Sequence, residues 1–471
     1  RRVGARVDSM LANKMQWWAD AQYYQTKTSY LENIFESNKP RIQNIDVDIE
    51  GYTFNSQLSQ NLSKSQQWSL QLFAEYYDRD LDDLLRERQG QLDISGQYRF
   101  LIGNHNITLG SNYRGYTDDY TGTETGYIQP DSEYNFLVAG FVQDKIVFSD
   151  SWALTLGAKF ERHRVQSTFM QPTARLSWSI QEDTTVWFAY SKAMQAQTRD
   201  LRSIHWRLAC VCNTPLKDVL DGSREDQLTG VPQEIIDFAE AAPTTVVPII
   251  TVMEGLKGNE FETRLAAWEW GVRTRLAESW VLDLSVYLHE YSDIITAETS
   301  EYRLFYNAQG VDYAERVLHY SEGVDALSGG ADLVLSWQWG AGMMWRFSYS
   351  YFNLDVKPKG GDSIYYEFQE YLDPLHQASI QHDWKMAERW HLNTFMRYVG
   401  KAEYFSEWDS VDTYATLDMK VGYALLPELE VFVIGKNLSD GGHVEGRVVS
   451  DQPSAETEVE RSFTLGINMV F

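Results

Sequence analysis

The sequence predicts an all-β chain folded as a membrane-spanning antiparallel barrel, and three observations predict it. Period-two alternation of apolar and polar residues recurs along almost the whole length. The connections between the alternating runs switch between very short and long, as in a barrel with one plain rim and one elaborated rim. The composition combines 16 Trp and 28 Tyr with a mean hydropathy of −0.41. That balance is expected where lipid-facing residues are diluted by a polar lumen face and polar loops.

Composition also bounds the alternatives. The 471 residues hold only 11 Pro and no Ser/Gly tract, so the length does not divide into linked domains and residues 1–471 read as one partial barrel. No window approaches eighteen consecutive apolar residues, which excludes a membrane helix. A large soluble β protein shares the composition but not the alternation of connections. A net charge of −26 excludes a nucleic-acid partner, because phosphate contacts need a basic surface. The acids gather in expected loops, as in Asp78–Asp83 and at Asp118 and Asp119. They read as solubilising charge, with divalent-cation bridging as the alternative.

Taken in order, the alternation predicts nineteen strands. The first ten are 1–9, 15–27, 50–63, 66–80, 88–102, 105–120, 134–148, 152–166, 170–180 and 184–194. The remaining nine are 260–276, 279–293, 326–338, 343–357, 373–386, 389–403, 411–426, 429–445 and 459–471. In the fourth, Trp68, Leu70, Leu72, Ala74 and Tyr76 alternate with Ser69, Gln71, Phe73, Glu75 and Tyr77. In the twelfth, Leu282, Leu284, Val286 and Leu288 oppose Asp283, Ser285, Tyr287 and His289. In the last, Phe463, Leu465, Ile467, Met469 and Phe471 form the membrane-anchoring face, against Ser462, Thr464, Gly466, Asn468 and Val470. The longer runs suffice to cross a bilayer as tilted strands, which takes about 9–11 residues.

The tight connections are LIGNHN, VFSDSW, SIQEDTT, RLAESW, KMAERW and LLPELE, rich in the Asn, Asp, Ser, Glu and Pro that turns require. Between them lie long polar excursions at 28–49, 116–134, 195–259, 294–325, 357–372 and 440–458. Paired aromatics near strand ends, Trp17/Trp18, Tyr23/Tyr24, Tyr76/Tyr77 and Trp268/Trp270, fit interfacial girdles, with one ring of each adjacent pair left to fill the interior.

The second half resembles the barrel of TonB-dependent outer-membrane receptors. The resemblance is carried by QPTARLSWSI–TTVWFAYSKAM (Gln171 to Met194), GNEFETRLAAWEWGVRTRL (Gly258 to Leu276), VLDLSVYLHEYSDI, HQASIQHDW (His376 to Trp384) and VFVIGKNLSD before RSFTLGINMVF. The last of these includes the family's G-x-N-L-x-D string at Gly435, Asn437, Leu438 and Asp440. The resemblance implies a 22-strand barrel in a Gram-negative outer membrane, around a plug domain preceded by a TonB-binding segment. Counting back from Phe471 makes Arg1–Ser9 a descending strand, so the chain reads as lacking the plug, the TonB-binding segment and the first three strands. The implied function is import of a bulky scarce nutrient, a ferric siderophore foremost, powered by the TonB complex through that missing part, with lipid and lipopolysaccharide around the wall. A structural or adhesin-like barrel whose loops bind another protein is the alternative, and a passive porin a third.

The candidate ligand site is TRDLRSIHWR in the longest excursion, with Arg199, Arg202, His205, Trp206 and Arg207. Three guanidiniums and an aromatic can grip an anionic ferric chelate by charge-assisted hydrogen bonds and stacking. The competing reading pairs Arg199 and Arg202 with loop carboxylates such as Asp200. VPQEIIDFAEAA (Val231 to Ala242) reads as a short amphipathic helix with Pro in its first turn, packed within the loop. Cys210 and Cys212 cannot complete a zinc site; a local disulfide is the remaining reading, without an assigned function. No H-E-x-x-H or G-x-S-x-G string occurs, His289 and His391 fall on lumen faces, and GGHVEG at His443 reads as a flexible loop rather than a phosphate cradle. No enzyme, metal site or cofactor is expected.

Overall fold

A computed structural model describes residues 1–36, 38–166, 168–195, 198–212, 214–218, 231, 233–255, 262–308, 310–359, 373–386, 389–402, 410–445 and 458–469. Phe471, the last residue of the expected anchoring face, lies outside the described residues.

The strands run β1 (Arg2–Met10), β2 (Gln16–Glu36), β3 (Lys39–Ser63), β4 (Gln66–Leu81), β5 (Leu85–Ile102), β6 (His105–Gly122), β7 (Gly126–Ile128) and β8 (Ser132–Val147). Then come β9 (Trp152–His163), β10 (Phe169–Gln181), β11 (Thr184–Met194), helix α1 (Asp200–Ser203), β12 (Ile204–Val211), helix α2 (Gln233–Ala241) and β13 (Ile249–Glu254). The chain continues with β14 (Arg264–Ala277), β15 (Trp280–Asn307), β16 (Gly310–Trp339), β17 (Met343–Pro358), β18 (His376–Lys385) and β19 (Trp390–Val399). It ends with β20 (Tyr414–Leu426), β21 (Leu429–Lys436), β22 (Gly442–Val444), β23 (Glu458–Glu460) and β24 (Ser462–Met469).

Among the described residues the main sheet has 22 strands. Three of them, β7, β12 and β13, stand outside the wall, which leaves nineteen wall strands. Each pairs antiparallel with its neighbours in chain order, and each corresponds to one of the nineteen read from the sequence. β1 pairs only with β2 and β24 only with β21, so among the described residues no ladder joins the two ends of the wall.

The short rim is made by turns such as Lys64–Ser65, Gly103–Asn104 and Glu278–Ser279. Gly103 sits there at φ 59°, a left-handed conformation that costs glycine little. Above this rim, stacked rings pair across neighbouring strands: Trp152 with Trp178 at 5.0 Å and Trp280 with Trp337 at 4.9 Å between centroids. Toward the opposite rim, Tyr23, Tyr52 and Tyr76 occupy one outward row. These are the two aromatic girdles of a membrane wall. Trp268 and Trp270, two residues apart, share one face; both lie beside Phe188. The lumen face is polar, and there Arg114 and Asn112 both donate to Asp93 at 2.9 and 2.8 Å.

Several expected loops are strands. Residues 28–49 extend β2 and β3 into a hairpin, and 294–325 extend β15 and β16 into another. At about 3.4 Å per residue, the 28 residues of β15 span roughly 95 Å, far beyond a ~30 Å bilayer core. Polar residues disguise these hairpins, yet Ile45, Val47 and Ile49 still alternate with Asp46 and Asp48. Much of the buried core lies in this outer crown rather than in the wall: Ile34, Phe35, Ile45, Val47, Leu84, Ile250, Val252 and Val317 are all under a tenth exposed. The wall meets lipid on one side and lumen on the other, so the side chains it buries are mostly small, such as Ala139, Ala267 and Ser328, and the large enclosed ones gather in the crown.

The expected strand 429–445 stops at Lys436, because Asn437 turns the chain at φ 50°. Its amide donates to Val459 O at 2.9 Å and its backbone N–H to Asp418 at 2.8 Å. His443 is not in a flexible loop: it lies in β22, 9% exposed and stacked on Tyr414 at 4.4 Å. The acids at Asp78 and Asp80 stand on β4 and pair with Arg86 and Arg88.

Candidate ligand site at the barrel mouth

The excursion between β11 and β14 is built, not loose. β12 pairs antiparallel with β7 on one side and β13 on the other, and β13 pairs in parallel with residues 314–319 of β16. This is possible because β17 ends at Pro358, leaving the upper edge of β16 open. PIITVME reads as a short apolar run, the signal of a doubly covered strand, and could have located β13 from sequence. α2 forms within the expected span, Pro232 lying outside the described residues, and buries Ile235 and Ala239 against Leu216, Val247, Ile249 and Ala314. Cys210 and Cys212 are bonded to each other at the end of β12.

The five expected site residues all lie on this strap, and each is engaged. Arg199, before α1, pairs with Asp118 of β6 and lies 3.4 Å from Glu133 of β8. Arg202 reaches the same Glu133 at 3.2 Å, and Arg164 joins it at 3.0 Å. These carboxylates, rather than Asp200, neutralise the two arginines. His205 stacks on Tyr127 at 4.6 Å and places Nδ1 3.1 Å from Glu254, which also accepts two hydrogen bonds from Arg303 at 2.7 and 3.0 Å. Trp206 packs on Ile34, Ile45, Val47 and Leu84. A β-carbon on Gly126 would overlap its ring, which explains glycine at that point of β7. Arg207 lies 3.6 Å from Glu315 and 6.0 Å above the Phe35 ring.

Burial and ion pairing compete in the electrostatics. Asp118, in the part of β6 beyond the membrane, has its pKa raised by desolvation, against the pull of Arg199. His205 is pushed below the ordinary imidazole range by burial, with Glu254 opposing. Glu254 is held below the usual carboxylate range, chiefly by its hydrogen bonds from Arg303. Arg199 Nε and Nη2, Arg202 Nε and Arg207 Nε are enclosed without a hydrogen-bond acceptor from the protein. Asp118, expected as solubilising charge in a loop, stands instead on β6 and is buried, and Glu133, Glu254, Glu315 and Phe35 escaped sequence reading because none lies near TRDLRSIHWR in the chain. Among the described residues, no group of three or more His, Cys, Asp or Glu is placed to hold a metal ion.

Known proteins bracket this architecture. The siderophore receptor PirA of Acinetobacter baumannii superposes with a TM-score of 0.67 at 13% identity, covering 100% of this chain and 77% of that one. The ferric-catecholate import receptor Fiu of Escherichia coli K12 gives 0.69 at 11% identity, with 100% and 74% covered. A mutant ferric enterobactin receptor of Pseudomonas aeruginosa, in complex with enterobactin, gives 0.65 at 13%, with 99% and 78% covered. At such identities the likeness shows the fold. A search of curated proteins finds no match. A family model described as TonB dependent receptor-like, beta-barrel, matches residues 4–438. With nineteen wall strands, two aromatic girdles and that match over most of its length, the chain belongs to the TonB-dependent receptor family, outer-membrane transport barrels and not enzymes.

Proposed function

We propose that this barrel serves TonB-dependent import of a bulky, scarce nutrient, a ferric siderophore before other candidates. The observation that carries the reading is the strap: a wide wall whose mouth is overlain by a cationic and aromatic segment suits single large ligands better than free diffusion of small solutes. In this reading Arg199 anchors the strap, while Arg202, His205, Trp206 and Arg207 contact the chelate. The Arg202 and Arg207 side chains, 16% and 13% exposed, offer their remaining accessible charge to an anion rich in oxygen. The TonB complex supplies the energy and the barrel performs no chemistry. The crown's own hydrophobic core also favours a second reading, a rigid surface platform for a protein partner.

The test expresses the full-length receptor in an iron-limited Gram-negative host lacking its own siderophore receptors. Uptake of ⁵⁵Fe is measured with ferric enterobactin, a hydroxamate chelate and haem, with and without TonB. One chelate class should enter only with TonB, and Arg202→Ala with Arg207→Ala should raise the half-saturating concentration about tenfold or more, from two lost charge-assisted bonds. Absence of TonB-dependent uptake for every probe overturns siderophore import.

A further inference from the structure

The strap joins parts of the wall that are far apart in strand order. From β16, the thirteenth wall strand, ladders run to β13, then β12, then β7, which lies in the connection between the sixth and seventh wall strands. Three ladder steps of about 4.8 Å make this bridge roughly 14 Å wide. Both of its faces carry buried packing, while Leu208 and Val211 of β12 stay exposed. On one, Phe35 from the β2–β3 hairpin packs on Ile250 and Val252, with Cys210 and Tyr313 alongside. On the other, α2 covers Ile249 and Ala314. Backbone bonds tie its edges: Arg207 N–H donates to Thr125 O at 2.8 Å, Gln129 N–H to Ser203 O at 3.0 Å, and Gly255 N–H to Ile204 O at 2.8 Å. Phe35 N–H donates to the Thr125 hydroxyl at 2.8 Å inside the buried core. Ion pairs finish both ends, Arg199 to Asp118 at the β6 side and Arg303 to Glu254 at the β15 side.

A segment that moves aside to admit ligand needs few buried contacts and solvated backbone bonds. This one has the opposite character. We propose that the β16–β13–β12–β7 sheet is a fixed beam across the mouth, so that ligand passes beside it and the flanking openings, not a swing of the strap, set the largest ligand admitted. Opening it would break a parallel ladder, expose Val252 and Val317, both 0% exposed, and leave charged groups of the beam without partners. The inference rests on the import reading only for its consequence; the rigidity stands separately.

Two measurements keep them distinguishable. In hydrogen–deuterium exchange on the purified full-length receptor, amides of Ile204–Val211 and Ile249–Glu254 should exchange at least ~1000-fold more slowly than unstructured chain, alongside the paired part of β16. Exchange within seconds overturns the fixed beam without reference to transport. In the second, cysteine pairs are placed at the strand partners Val252 and Val317 (V252C with V317C) or, where that pair impairs folding, at Met253 and Leu318 (M253C with L318C). The oxidised receptor should take up ⁵⁵Fe–enterobactin, or whichever of the three iron probes enters the wild type, within twofold of its reduced form. Wild type treated with the same reductant controls for Cys210–Cys212. A tenfold loss on oxidation, reversed by reduction, overturns the beam, as does failure of both cysteine pairs to oxidise. No uptake in either redox state, with slow exchange retained, overturns import and leaves the beam standing.

Discussion

Replacing Arg199 by alanine should release the strap while leaving the wall intact. The Arg199 and Asp118 side chains are 4% and 2% exposed, so the substitution strands a carboxylate out of reach of water. Removing one partner of a buried pair costs about 3–5 kcal/mol. Glu133 keeps Arg202 and Arg164, so the cost centres on Asp118. That carboxyl already has its pKa raised by burial, and without the guanidinium it rises further. A raised carboxyl pKa means that the native state is favoured at low pH and loses that advantage as pH climbs through the folded value. The deficit of Arg199→Ala should therefore shrink on acidification, by at most about 2.7 kcal/mol between pH 7 and pH 5 at 1.36 kcal/mol per unit. The assay is hydrogen exchange of Arg199–Val211, corrected for intrinsic rates, with heat-modifiable gel mobility reporting the barrel. Adding Asp118→Asn to Arg199→Ala should recover part of the loss, and the double-mutant cycle gives the coupling. Unchanged protection in Arg199→Ala, or no recovery in the double variant, would refute the anchoring role.

Other outcomes follow from the same contacts. Trp206→Ala empties the space between Ile34, Ile45, Val47 and Leu84 and should destabilise the crown by about 3–5 kcal/mol, seen as faster exchange of the β2–β3 hairpin. His205, its pKa lowered by burial, contributes stability above the unfolded imidazole pKa that is lost as pH falls through the folded value. Exchange of Ile204–Val211 should therefore accelerate as pH falls below the ordinary imidazole range, relative to His205→Gln, which does not titrate. Leu465 and Ile467, 75% and 68% exposed on the outward face of β24, should each cost about 2–4 kcal/mol when replaced by arginine near the bilayer midplane, measured by denaturant titration of the barrel in lipid vesicles. Asn437→Ala loses the amide contact to Val459 and tolerates φ 50° poorly, so a loss of about 1–2 kcal/mol local to β21–β22 is expected in exchange.

The wall was legible because its cause is local. A strand between lipid and lumen must alternate, and that alternation is written into ten or so consecutive residues, as from Leu282 to His289. Where both sides of a strand are solvent or crown, the pattern weakens. Residues 28–49 and 294–325 looked like loops because no lipid demanded an apolar face there, although Ile45, Val47 and Ile49 kept the period. The amphipathic helix at α2 was readable for the same local reason. The strap was not, since the partners that hold it come from elsewhere: Arg199 and Asp118 are 81 residues apart, and Arg303 and Glu254 are 49.

By itself, then, the sequence determined the nineteen wall strands, their inward and outward faces, the short and long rims and the family. All of these follow from side-chain periodicity and turn chemistry within short stretches. Only the tertiary structure decided that the longest excursion becomes a sheet braced between β16 and β7, and that the arginines expected to meet ligand already hold carboxylates. Those outcomes depend on which remote backbone edges and buried charges come together, and no local pattern encodes that meeting.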